Sequence, residues 1–188
     1  LSQDGTGVVD ILQGATISDN GCSVLAGYTE GDWFSTNKGS ADFAAVKLDA
    51  DGEVLWSWQG GTGGKDKLQA AAMASDGSVL LAGYSDGVWE GSNQGGIDLA
   101  VVKLSADGEV EWKRQDGSSA NETWYGVDVD ESDGDESWVV AGTTFGRIGN
   151  ESQGQWDFVA RKLDSSGEVV WTWQVRRATN GAEYRRGV

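Results

Sequence analysis

The sequence predicts an all-β fold: a β-propeller segment with three visible four-stranded antiparallel blades, part of a larger ring. Three observations carry this expectation: a threefold internal repeat, glycine-rich turns at fixed places in every copy, and a strand pattern that leaves no segment needing a helix. The repeat is the strongest. Trp56, Trp112 and Trp171 close the segments DADGEVLWSWQ, SADGEVEWKRQ and DSSGEVVWTWQ at separations of 56 and 59 residues. Gly27, Gly83 and Gly142 keep the same two separations, and so do Asp42, Asp98 and Asp157 at the heads of DFAAVKL, DLAVVKL and DFVARKL. A period of this length marks a supersecondary unit that buries its core only against its neighbours. The copies fall at residues 1–59, 60–115 and 116–174, with 175–188 as the start of a fourth. The third copy is three residues longer, chiefly in the acidic stretch ESDGDES, where a surface turn accepts insertion at little cost.

Within the second copy the elements follow in order. LQAAAMA is the first strand, Ser75, Asp76 and Gly77 turn the chain, and SVLLAGY is the second strand. A polar loop runs to Gly96 before the third strand, DLAVVKL; Ala106, Asp107 and Gly108 turn it into the fourth, EVEWKRQ. Asp-Gly between β-rich runs is a hairpin signal, because a tight two-residue turn needs positive φ. Alternation places Leu99, Val101 and Lys103 on one face of the third strand and Ala100, Val102 and Leu104 on the other. Four such strands per repeat make one propeller blade.

Composition narrows the function classes. The chain of 188 residues holds 29 Gly and no Pro, so Gly, Asn and Asp must make every sharp turn. With no His and a single cysteine, Cys22, imidazole metal sites, His-based triads and intrachain disulfides are excluded. The ten Trp argue against disorder. A formal charge of −16 repels phosphate backbones and anionic lipid, which removes nucleic acid as a partner. No stretch approaches the roughly 18 apolar residues of a membrane span.

The copies resemble the SBBP-type β-propeller repeat. The segments that carry the resemblance are GGTGGKD, ASDGSVLLAGYS and IDLAVVKLSADGEVEW between Gly60 and Gln115, and the likeness extends over about 170 residues. It implies a blade scaffold found in secreted and cell-surface proteins of mixed role. Trp33 and Trp89 stand in the loop where many members of that family carry Phe-Pro. The Trp at 56, 112 and 171, with Trp58 and Trp173 beside two of them and Arg114 beside the other, also resemble the tryptophan docking of quinoprotein dehydrogenase propellers. Packing between blades is the simpler account of them. SADGEVEW nearly spells the Asp-box of sialidase-type propellers, a structural motif.

Four groups of residues are candidates for binding. Trp33 with Asn37 recurs as Trp89 with Asn93 in the loop after the second strand. An aromatic face beside an amide holds a sugar ring by apolar contact and hydrogen bonds, and repeated sites on one rim add avidity. The alternative is that each Trp caps its own blade while Asn and Gly make the turn. Copy three breaks the pattern with Ile148 and Ser152. Asp128, Asp130, Asp133 and Asp135, followed by Glu136, are the richest carboxylate stretch; they lack EF-hand order, so a solvated turn is expected, with a calcium site as the alternative. Asn121 and Asn150 head glycosylation-type triplets. Arg176, Arg177, Arg185 and Arg186 gather positive charge near the end, for a contact with a next blade or an acidic partner.

Gly187 and Val188 match the place just before a first strand, so the expectation is a piece of a longer polypeptide; a self-completing pair of chains and a lone three-blade arc are the alternatives. The expected function is a non-catalytic binding or assembly module of a secreted or cell-surface protein. It needs no cofactor, and its partners are glycan, extracellular proteins and the blades or chains that complete the ring. Two other readings stand beside it. One is a fragment of a quinoprotein- or glycosidase-like propeller enzyme with its site on other blades; the other is a structural part of an extracellular filament.

Overall fold

The computed structural model describes residues 5–149 and 156–175. Asn150, Ser152, the four arginines from Arg176 onward and the rest of the expected start of a fourth copy lie outside the described residues; Val175, where that copy was expected to begin, instead closes the last strand of the third sheet. The chain forms twelve strands and, among the described residues, no helix. The first sheet holds β1 (Asp10–Ile17), β2 (Ser23–Thr29), β3 (Asp42–Leu48) and β4 (Val54–Gly60). The second holds β5 (Asp66–Met73), β6 (Val79–Ser85), β7 (Asp98–Leu104) and β8 (Val110–Asp116). The third holds β9 (Glu122–Asp130), β10 (Ser137–Thr144), β11 (Asp157–Asp164) and β12 (Val169–Val175). Each sheet is an antiparallel meander in chain order, as the repeat predicts. The three sheets do not close into a ring.

The turns span the three residues read from the sequence, one more than the minimal two-residue turn. Between β7 and β8, Ser105 N–H donates to Glu109 O at 2.8 Å and Gly108 N–H donates to Ser105 O at 3.0 Å, which leaves three loop residues with Gly108 at φ 86°. Gly52 and Gly167 take the same conformation. The cause is a type I turn completed by one left-handed residue, a shape matched to strand twist that needs a single glycine.

A bulge recurs in the first strand of every sheet, where the register skips Gln13, Gln69 and Tyr125 opposite the second strand. It presses the first strand's backbone against Gly27, Gly83 and Gly142. A Cβ at Gly83 would lie 2.0 Å from the Lys67 carbonyl oxygen. That contact accounts for one of the three landmarks of the repeat.

Two apolar clusters form the core, and each lies between sheets. Val24, Ala26, Phe43 and Ala45 of the first sheet meet Leu68, Ala71, Leu81 and Val102 of the second. Leu80, Ala82, Leu99 and Val101, on the second sheet's other face, meet Trp124, Trp138, Val140 and Leu163 of the third. The alternation read from DLAVVKL thus divides the residues between two different cores. The first strands of neighbouring sheets lie side by side, and parallel bridges at Ala41–Lys65 and Ile97–Asn121 tie the residues just before β3 and β7 to the next sheet. Each sheet therefore has a front face toward the following sheet and a rear face toward the preceding one.

Candidate interaction faces and rim loops

The junctions between sheets repeat a single plug-and-socket contact. Trp56 on β4 donates its indole N–H to Ala106 O at 2.9 Å, and its ring lies over Gly108, where a Cβ would come within 2.8 Å of Cγ. Trp112 on β8 makes the same bond to Ser165 O at 2.9 Å and covers Gly167 with the same closeness. The turn glycine is needed twice, for its positive φ and for the indole that occupies its missing side chain. Lys47 adds bonds to Gly77 O and Ala106 O at 3.0 and 3.2 Å. Its counterpart Lys103 is buried against Glu136, with Glu111 also in reach. Burial works against the charge of Lys103, but the two carboxylates outweigh it and hold its pKa above the ordinary value.

The two end faces carry equivalent residues that, among the described residues, are more exposed. Phe43 on the first sheet is 0% exposed, whereas Phe158 at the equivalent place on the third is 63% exposed. Trp171 repeats Trp56 and Trp112 but is 41% exposed, with no hydrogen bond to its indole N–H among the described residues. At the rear of the first sheet Leu12 is 44% exposed, where its equivalent Leu68 is 1% exposed. The turn at Ala50 and Gly52 matches the two filled sockets, yet nothing lies within 4 Å of a Cβ at Gly52. Lys162, which repeats Lys47 and Lys103, turns back to Asp130 of its own sheet at 2.9 Å.

The rim loops are held from below by a glutamine that recurs as Gln59, Gln115 and Gln174. Gln59 Oε1 accepts from the backbone N–H groups of Trp33, Phe34 and Ser35 at 2.9–3.2 Å. Its Nε2 donates to Gly31 O and to the buried carboxylate of Asp42. Gln115 with Asp98 and Gln174 with Asp157 do the same for the loops at Trp89 and Ile148. Sequence reasoning missed this role. The available signal was a glutamine recurring at the same place near the end of all three fourth strands.

Within this frame the expected sugar-binding residues separate. Trp89 packs into the first junction, its ring centroid 5.2 Å from that of Phe43 and 6.2 Å from that of Trp58, with Lys113 Nζ 4.6 Å above it. Trp33 occupies the same place on the rear of the first sheet, half-buried and stacked on Phe34 at 4.2 Å. The Asn37 and Asn93 amides serve their own loops: Oδ1 accepts from Gly39 and Gly95 N–H at 2.8 and 2.9 Å, and Nδ2 donates to Thr29 O and Gly87 O.

The acidic hairpin between β9 and β10 reaches across the second junction. Glu131 accepts from Ser75 Oγ at 2.7 Å, and Glu136 takes Lys103, Ser78 and the Trp138 indole. Hydrogen bonds from Ser132 and Lys162 hold the Asp130 carboxyl below its ordinary pKa. Asp128 Oδ1 accepts from Val129 N–H, and Asp133 and Asp135 lie on the exposed turn. No group of three or more such ligands converges among the described residues. Asn121 lies at the head of β9, where its Oδ1 accepts from Ile97 N–H at 3.1 Å, and Thr123 of the same triplet is buried.

A further carboxylate opens each first strand, at Asp10, Asp66 and Glu122. Asp66 accepts from Thr62 and Ser85, and Asp10 from Thr6 and Thr29. Burial raises the Asp66 pKa, with the Asp42 charge adding to it, and its hydrogen bonds do not offset this. At Asp10 burial also pushes upward, but the bonds from Thr29 and Thr6 prevail and the pKa is lowered. No helix among the described residues is long and apolar enough to cross a membrane. No family model matches the chain, and no curated protein matches it.

Proposed function

We propose that the protein is a non-catalytic assembly module of β-propeller type, secreted or surface-displayed, that works by joining blades of its own repeat type through its two open sheet faces. The observation behind this reading is the pair that is unfilled among the described residues, Trp171 without a socket and the Gly52 turn without a plug, beside two pairs that are filled. Burying apolar side chains of this size stabilises by about 1.5–3 kcal/mol each, and contiguous exposed apolar patches of this kind mark interaction sites. The carboxylates Asp42, Asp98 and Asp157 are engaged in holding loops, which favours a structural use over acid–base chemistry. Binding of glycan by the rim loops draws less support, because both asparagine amides are occupied and Trp89 is part of a junction.

The test is a photo-crosslinking residue in place of Trp171, activated in cells that make the protein. The expected product is an adduct to the turn between the third and fourth strands of a repeat blade, identified by mass spectrometry. Adducts to unrelated sequences, or none, would overturn the reading, as would tight binding of an oligosaccharide abolished by Trp33→Ala.

A further inference from the structure

We propose that a groove between the first two hairpins receives an arginine or lysine side chain from a peptide segment of another protein. The groove encloses about 340 Å³, and its lining includes Ile17, Asp19 and Asn20 where β1 turns into β2, Met73 and Ser75 where β5 turns into β6, and Glu131 at the β9–β10 turn. It exists because neighbouring turns are tied together at the second junction and not at the first. At the second, Glu131 spans the gap, accepting from Ser75 N–H at 3.1 Å and from Ser75 Oγ at 2.7 Å. One repeat earlier Ser75 stands in the place of Glu131, and Asp19 in the place of Ser75. The serine is too short to repeat the tie. Among the described residues neither the Asp19 carboxylate nor the Asp19 backbone N–H has a hydrogen-bond partner.

The chemistry of the lining selects the occupant. Asp19 and Glu131 bring two carboxylates, no lysine or arginine lines the groove, and the formal charge of −16 draws cations toward it from a distance. Ile17 and Met73 supply apolar lining for the methylene stem of a long basic side chain whose charge stays with the carboxylates. A carbonyl of the same peptide is the acceptor that Asp19 N–H lacks, and a bare metal ion offers none. The groove lies between the first and second sheets, whereas a further repeat at either end would pack outside the first or the third. It uses neither open face, so it is independent of the assembly reading.

Amide NMR of the isotopically labelled full chain, titrated with acetyl-Gly-Arg-Gly-amide, tests this. Saturating shifts are expected at Asp19, Asn20 and Ser75, with a Kd on the order of millimolar because exposed ion pairs contribute little each. Citrulline in place of the arginine keeps the shape and removes the charge, and should weaken binding about tenfold; added sodium chloride should weaken the arginine peptide. Asp19→Asn should weaken it about threefold. Asp107→Asn makes the same charge change on a turn outside the groove and should leave binding unaltered. Both positions are exposed, so circular dichroism of the variants should match the parent. Shifts scattered over the acidic surface without saturation, equal binding of the citrulline peptide, or equal effects of the two variants would each overturn the proposal. So would calcium chloride alone saturating the same amides at lower concentration than the peptide, which would make the groove an inorganic cation site.

Discussion

The first junction and the two open faces contain the same residues in the same strands, yet those residues do different jobs. At the junction Phe43 is buried and Trp56, Trp58 and Trp89 pack half-buried against it; at the ends Phe158, Trp171 and Trp173 are exposed, and Trp33 is half-buried. Secondary structure and sheet register are unchanged between them. The sheet therefore does not need its neighbour to form its hydrogen bonds, only to hide its apolar faces. A repeat of this kind gains stability from nearest-neighbour contacts, and the comparison between equivalent positions measures what one junction contributes.

The largest expected difference lies in the loop tryptophans. Trp89→Ala removes a ring packed on Phe43 and Trp58 and should cost about 3 kcal/mol, at the lower end for core aromatics because the ring is only half-buried. Trp33→Ala loses mainly the stack on Phe34 and should cost about 1 kcal/mol. Urea unfolding of the two single variants at low protein concentration gives the comparison; equal losses would show that Trp33 is packed as firmly as its counterpart and that the rear face is not open.

A smaller difference is expected at the turns. Gly52→Ala and Gly108→Ala both place a Cβ on a left-handed residue, at about 1 kcal/mol or somewhat more. Only Gly108→Ala also collides with the Trp56 indole, adding roughly 1–3 kcal/mol of overpacking. The extra loss should vanish when Trp56→Ala is introduced as well, in a double-mutant cycle. A surplus that persists without the indole would break the plug-and-socket account.

The smallest effect is a difference of sign in pH dependence. Asp10, with its pKa lowered, contributes stability that is present above the ordinary value of 3.8 and lost as pH falls through the lower folded value. Asp66, with its pKa raised by burial, contributes stability that is full below 3.8 and lost as pH rises through the higher folded value. The advantage of the parent over Asp10→Asn should therefore grow from strongly acidic toward neutral pH, and its advantage over Asp66→Asn should shrink. Parallel trends would mean that the covered and open ends do not differ in how they solvate this carboxylate.

Much of the architecture was legible because repetition and turn chemistry are local. The Trp, Gly and Asp landmarks located the three sheets, and the turn glycines located the hairpins, although Ser105 to Glu109 closes with one more residue than a minimal turn. The burial of Trp89 was not legible. Its ring is placed by Phe43 and Trp58 from the preceding copy, and no pattern within its own loop, GVWEGSNQGG, carries that information. Gln59 was hidden for a related reason: it acts on backbone groups 24–26 residues away. The acidic stretch read as a solvated turn, but Glu131 and Glu136 find their partners on the second sheet.

The glutamine tie beneath each rim loop has a consequence for variation. Because Gln59 and Gln115 grip backbone N–H groups, this part of the loop path is set without reference to the side chains that those residues carry. Asp32 becomes Val88, Phe34 becomes Glu90 and Lys38 becomes Gln94 between the first two copies, while the grip is retained. The tips are thus a permissive surface on a fixed mount, in the manner of antibody loops on their sandwich. New residues grafted at Ser35 and Thr36, between the Trp33 stack and the Asn37 amide, should alter what the rim presents while leaving the sheet beneath it undisturbed.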